Sequence, residues 1–89
     1  MDDPVSLAIV ANVSAGFRLS SESCCFQITT TEASTITVER SIDGVAYSEV
    51  PDYSLAANGT VEDNLVDFKR GQFVRFKSTG AMTSCKILD

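Results

Sequence analysis

Eighty-nine residues, 44% of them hydrophobic with only two prolines and five glycines, suit one folded domain and are too apolar for a disordered chain. The absence of histidine removes every Ser-His-Asp or Cys-His arrangement, and with it the commonest general base. A formal net charge of −5 opposes nucleic acid as a partner, and no apolar run approaches the roughly 20 residues that span a bilayer. No basic leader with an apolar centre opens the sequence, so a soluble, cytoplasmically synthesised protein is expected.

In chain order, Val5, Leu7, Ile9, Ala11 and Val13 alternate with Ser6, Ala8, Val10 and Asn12, which predicts one strand with a buried face. Residues 1–4 read as a flexible tail or arm of a single domain spanning 1–89. Gly16 ends the run, and Phe17 and Leu19 make a short second strand. Cys24, Phe26 and Ile28 alternate with Cys25, Gln27 and Thr29 as a third, and the Thr/Ser-rich stretch Thr29 to Thr35 reads as a turn at Glu32 and Ala33.

The clearest hairpin is ITVERSIDGVAYSEVP, Ile36 to Pro51, with Asp43-Gly44 at its turn. A two-residue loop would set Val38 against Glu49. A three-residue loop, Ile42-Asp43-Gly44, closes in a glycine bulge and aligns Ile36 with Val50 and Arg40 with Ala46. That register gathers Ile36, Val38, Ala46 and Val50 on one face and Thr37, Glu39, Tyr47 and Glu49 on the other, so it is the expected one. Pro51 marks the exit, because it cannot donate to a ladder.

Beyond it, Tyr53 and Leu55 form an edge segment and Asn58-Gly59 signals a second hairpin, with Leu55 to Ala57 before it and Thr60 to Val66 after it. Asp67 to Gly71 is a turn. GQFVRFK follows as a strand with Val74 and Phe76 inward, then a last strand in which Thr83, Cys85 and Ile87 alternate with Met82, Ser84, Lys86 and Leu88. The predicted fold is all-β: a small β-sandwich, Ig-like or jelly-roll-like, of seven to eight short antiparallel strands. Its core is Leu7, Ile9, Val13, Phe26, Ile28, Ile36, Val38, Val50, Leu65, Val74, Phe76, Cys85 and Ile87.

Charge is segregated along the chain. Residues 1–68 carry two basic and eleven acidic side chains, a balance of −9, whereas residues 69–89 carry five and one, a balance of +4. Cross-strand pairs between the basic C-terminal strands and Glu39, Glu49 or Glu62 account for this, and contacts between subunits are the second reading. Glu62, Asp63 and Asp67 resemble hard-cation ligands in type, but neighbours on a strand face opposite ways, so no metal site is expected. Cys24, Cys25 and Cys85 lack zinc-ligand spacing and read as reduced, buried thiols, with a pairing to Cys85 left open. Asn12-Val-Ser14 and Asn58-Gly-Thr60 match the glycosylation sequon without a secretory context.

No catalytic residue and no cofactor follow from these patterns. Candidates for protein or glycan contact are Tyr47 and Tyr53, as exposed aromatics, Phe73, which falls outward beside inward Val74, and Arg75.

From Ser41 the order SIDGVAYSEVPDYSLAANGT, continuing through NLVDFKRGQFVRFKSTG, resembles the small β-rich virion proteins of tailed bacteriophages: head-decoration, head-fibre or tail-associated modules. The resemblance covers roughly residues 34–89. It implies a non-enzymatic structural or assembly role in the virion, with homo-oligomerisation or docking on other virion proteins. The alternative is a carbohydrate-binding module that uses the tyrosines as a platform.

Overall fold

The computed structural model describes residues 3–89, so the outer part of the arm expected over residues 1–4 lies outside the described residues. Among the described residues nine antiparallel strands form a single curled sheet, and there is no helix. Its spine is β5, Cys24–Ser41, with 18 residues. One side of β5 carries β7, Leu55–Leu65, and beyond it the two-residue β6, Ser48–Glu49. The other side carries β9, Met82–Leu88, along its N-terminal half and β8, Phe73–Ser78, along its C-terminal half. The N-terminal segments β1 (Val5–Ser6), β2 (Ile9–Val10), β3 (Val13–Ser14) and β4 (Phe17–Arg18) then line β9 and β8.

β5 alternates buried and accessible residues through Cys24, Phe26, Ile28 and Thr30, and again through Ser34, Ile36 and Val38. Thr29 to Thr35, expected to be a turn, instead continues the strand. Thr31, Glu32 and Ala33 face a single β7 residue, Asn58, so β5 carries a bulge of two extra residues, which bends it without changing which face points inward. The hydroxyls of Thr30 and Ser34 both donate to the Glu32 carbonyl, at 3.0 and 2.9 Å. The polar residues that suggested a reversal thus satisfy the bulge.

The expected Asn58-Gly59 hairpin is corrected by the same bend. Leu55–Leu65 is one strand, and Gly59, opposite Thr30 at φ 95°, supplies the left-handed residue that lets β7 follow its partner. The first expected strand is corrected too, because it breaks into β1, β2 and β3. Ala11 and Asn12 both take positive φ, 51° and 62°, and close a two-residue turn between Val10 and Val13. Asn12 is held there by the Ser78 amide, which donates to its carbonyl at 2.9 Å, and by the Met82 amide, which donates to Oδ1 at 3.3 Å. This turn wedges between β8 and β9 where they diverge along β5.

The Ile36–Pro51 hairpin forms with a different register. Glu39 lies opposite Glu49 and Arg40 opposite Ser48, and the Val50 amide donates to the Val38 carbonyl at 2.8 Å. The loop is therefore longer than three residues, and Ala46 is exposed rather than paired with Arg40. The slip is two residues, so faces are preserved: Val38 and Val50 face in, Glu39 and Glu49 out. In β9, Thr83 bulges out opposite Thr29/Thr30, so Met82 and Cys85 both point inward and the expected alternation fails at that point.

The core gathers Phe26, Ile28, Ile36, Val38, Leu65, Val74, Phe76, Cys85 and Ile87 as expected from sequence, and adds Leu19, Cys24, Ala57, Phe68 and Met82. Leu7, Ile9 and Val50 are only partly buried against it, and Val13 is half-buried outside it. The Phe26 and Phe76 rings meet at 4.5 Å between centroids, joining the inner face of the N-terminal half of β5 to that of β8. Each large buried side chain contributes about 1.5–3 kcal/mol before chain entropy is counted.

Candidate functional site

One end of the sheet concentrates the features that the core does not use. It is built on the last residue of β5, Ser41, and the loop that follows to β6, residues 42–47, together with the β7–β8 turn and β4. Ser41 is buried and acts as the pivot of the loop. Its Oγ accepts from the amides of Asp43 (3.2 Å) and Gly44 (2.9 Å) and donates to Asp43 Oδ1 at 2.8 Å. Asp43 Oδ1 in turn accepts from the amides of Val45 (2.9 Å) and Ala46 (3.0 Å). These bonds hold the carboxyl of Asp43 below its ordinary value, the Val45 and Ala46 amides being the largest influence.

The loop is thus fixed by its own side chains, and it presents Ile42 and Val45 to solvent, each 83% exposed. Phe73 lies beneath it: β8 turns Phe73 outward opposite Ser41, and Gly44 sits over its ring. The loop itself supplies a cover for this outward aromatic.

Beside the loop, Arg18, Ile42, Lys69, Arg70, Gly71 and Gln72 line a shallow hollow of about 290 Å³. A second, of about 420 Å³, shares Arg18, Arg70 and Gly71 and adds Leu19 and Ser20. The turn is shaped by the Gln72 amide donating to the Lys69 carbonyl (3.0 Å) and the Lys69 amide donating to Gln72 Oε1 (2.7 Å). Ser20, which lines the second hollow, donates its amide and its hydroxyl to Asp89 Oδ2 at 2.6 and 2.8 Å, so a carboxylate borders these cations, and the one ion pair among the described residues lies elsewhere.

That ion pair is Arg75 to Glu39, 2.6 Å from Nε to Oε1, between residues directly opposite on β8 and β5. The Arg75 guanidinium also stacks over the Tyr47 ring, 4.0 Å from its centroid. The hydroxyl of Tyr47 rests over Gly16, where any side chain would collide with it. Arg75 and Tyr47 are therefore brought together, and Glu39 tethers the pair. The arrangement also offsets the Glu39–Glu49 juxtaposition across β5 and β6.

Tyr53 is placed apart. It is half-buried, packs edge-on against Phe26 at 6.4 Å and 67°, and its hydroxyl donates to Asp63 Oδ2 at 2.8 Å. Burial, and then the Asp63 carboxylate, push the Tyr53 phenol well above its ordinary value. Tyr53 covers the inner face beside Phe26, whereas Tyr47 covers the outer face over Arg75, so the two rings do not form one platform.

Cys24, Cys25 and Cys85 are free, and Cys24 and Cys85 are buried. Burial pushes the Cys24 thiol up to about 12 and the Cys85 thiol up to about 11. Among the described residues no group of three or more Cys, Asp or Glu side chains gathers as a cation site would require. Glu62 is exposed while Asp63 is tied to Tyr53, so these neighbouring carboxylates diverge. No helix among the described residues is long and apolar enough to cross a membrane.

The residues that sequence reasoning missed are Ser41, Ile42, Val45 and Arg18. A signal was present for one: Ile42 is apolar beside an Asp-Gly turn, where a folding role predicts a polar residue. No protein-family model, no curated protein and no solved structure matches this chain.

Proposed function

We propose that this chain is a non-enzymatic assembly protein, a bacteriophage virion component that self-associates or docks on a capsid or tail lattice. The observation that carries it is the placement of exposed large apolar side chains. Val5, Val10, Ile42, Val45 and Val66, from 43% to 83% exposed, sit on short strands, tight turns and strand ends of an all-β frame. Apolar side chains held at such positions by a rigid backbone suit protein contact better than a small-molecule site. The virion class comes from the resemblance over residues 34–89, and a location in the virion follows from that class.

The frame reads as sandwich-like. The contact between Phe26 on the N-terminal half of β5 and Phe76 on β8 supports that reading. The carbohydrate-binding alternative is weaker, because the Tyr47 ring is stacked by Arg75 and Tyr53 packs on Phe26.

Light scattering coupled to gel filtration tests the assembly reading. A defined homo-oligomer is the expected result, and a strict monomer at the highest attainable concentration overturns self-association. Glycan-array binding lost in both Tyr47→Ala and Tyr53→Ala would favour the sugar-binding alternative instead.

A further inference from the structure

We infer that Asn58-Gly59 is a self-modification site, at which the Gly59 backbone nitrogen attacks the Asn58 side-chain amide and the folded chain converts Asn58 to aspartate and isoaspartate without an enzyme.

The chain has three asparagines, Asn12, Asn58 and Asn64, and only Asn58 precedes a glycine. Ring closure brings the next residue's amide nitrogen against the asparagine Cγ, and a side chain on that next residue stands in the way. Val13 and Leu65 obstruct it after Asn12 and Asn64. Gly59 leaves the approach open: beyond its chain neighbours, no atom lies within 4 Å of the place its Cβ would take.

The settings of the three amides differ in the same sense. Asn12 is half-buried, and its Oδ1 accepts from the Met82 amide at 3.3 Å. Asn64 lies in the regular ladder, directly opposite Cys25. Asn58 is exposed, and its side chain makes no hydrogen bond among the described residues. The ladder is also interrupted there. Thr30 lies opposite Gly59 and Ser34 opposite Ala57, so Asn58 alone faces the bulged Thr31, Glu32 and Ala33. Rotating the backbone at Asn58 into the attacking geometry therefore disturbs less of the ladder than it would at Asn64.

Water is the only co-reactant. The Gly59 nitrogen loses its proton and bonds to Asn58 Cγ, while the side-chain nitrogen leaves as ammonia, which forms a five-membered succinimide. Water then opens the ring at one of its two carbonyls. Breaking the new bond to Cγ leaves aspartate. Breaking the bond to the main-chain carbonyl leaves isoaspartate, whose backbone runs through Cβ and Cγ and is longer by one carbon.

The bulge accommodates that second product. In a regular ladder an extra backbone carbon would displace every pair beyond it. Here β5 already carries two more residues than β7 over the same interval, so the added length falls opposite a surplus. Either product places a negative charge in residues 55–61 of β7, which carry none, on an edge that among the described residues pairs only with β5. A carboxylate there is the kind of charge that keeps an open edge from pairing with another chain.

Incubation of the full chain at neutral pH and physiological temperature, followed by peptide mapping with electron-transfer fragmentation, tests this. The expected result is a mass gain of about 1 Da at Asn58, with isoaspartate among the products, at least about tenfold faster than at Asn12 or Asn64. Asn58→Gln, which would have to close a larger ring, should lose the gain. The converted fraction, separated by anion exchange, should stay folded by circular dichroism, with its urea midpoint moved by less than about 0.5 M. An Asn58 that stays intact in the folded chain overturns the inference, whether or not it converts in urea. Equal conversion at Asn12 or Asn64 overturns it too, and an isoaspartate fraction that is unfolded overturns the accommodation by the bulge.

Discussion

Replacing Ser41 by alanine removes one oxygen on which the β5–β6 loop turns. Three hydrogen bonds are lost: from the Asp43 amide at 3.2 Å, from the Gly44 amide at 2.9 Å, and to Asp43 Oδ1 at 2.8 Å. Each is worth about 0.5–1.5 kcal/mol net, and the long Asp43 amide bond belongs at the bottom of that range. The loop is accessible enough for water to reach part of the vacated site. A loss of about 2 kcal/mol results. For a chain of this size that lowers the urea midpoint by about 1–2 M and the melting temperature by about 8–16 °C. Ser54→Ala is the control: Ser54 is exposed and its side chain makes no hydrogen bond among the described residues, so a change within about 0.5 kcal/mol is expected. Equilibrium urea denaturation followed by circular dichroism measures both. If Ser41→Ala moves the midpoint no further than Ser54→Ala does, the loop is not held by its own side chains, and the fixed presentation of Ile42 and Val45 loses its basis.

Phe76→Ala deletes a fully buried ring in contact with Phe26 and should cost about 3–5 kcal/mol, enough to leave much of the protein unfolded, as thermal denaturation would show. Stability should fall as pH rises above about 9. Cys24, Cys85 and Tyr53 all have folded-state values raised above their ordinary 9.0, 9.0 and 10.0, so their contribution is complete below those values and is lost as pH climbs toward 12. Urea denaturation at pH 8 and at pH 11 measures the slope, which Tyr53→Phe should reduce. Arg75→Met leaves Glu39 facing Glu49 and removes the stack on Tyr47; a double-mutant cycle with Glu39→Gln should give a coupling of about 0.5–1 kcal/mol, in keeping with a pair whose side chains are 33% and 13% exposed. Under native conditions a thiol reagent should modify Cys25 ahead of Cys24 and Cys85, which should react only on unfolding.

Strand faces were legible in the sequence, and strand connections were not. Period-two alternation placed Phe26, Ile28, Ile36, Val38, Val74 and Phe76 inward, because that signal is local and is enforced by burial. Punctuation misled where the chain uses turn residues to bend. Thr29 to Thr35 and Asn58-Gly59 carry the chemistry of turns, yet they face each other at a bulge within the β5–β7 ladder, and a bend shared by two strands is invisible to a reading of either alone. The break at Ala11-Asn12 was hidden by the reverse effect, since alanine disguised a left-handed turn as part of an alternating run. Phe68 escaped notice as core because it lies in a turn outside any alternating pattern, and Leu19, expected in a short strand with Phe17, is buried just beyond the end of β4. At the candidate site, Tyr47, Phe73 and Arg75 were identified by type, but the Arg75–Tyr47 stack and the gathering of Arg18 with Lys69 and Arg70 depend on partners more than 25 positions away along the chain.

Because β5 belongs to both halves of the sheet, neither half possesses an independent boundary at which it could come apart. Loosening β9 from Cys25 to Thr30 frees the same strand that β8 grips from Ile36 to Ser41. Amide hydrogen exchange should therefore report one protected set running the whole length of β5, with a common opening free energy on either side of the bulge. The short N-terminal strands, held by only a few ladder bonds, should exchange earlier as a separate layer. The chain would be lost and regained as one unit, and the slowest event in its folding would be the registration of distant strands on a single rail.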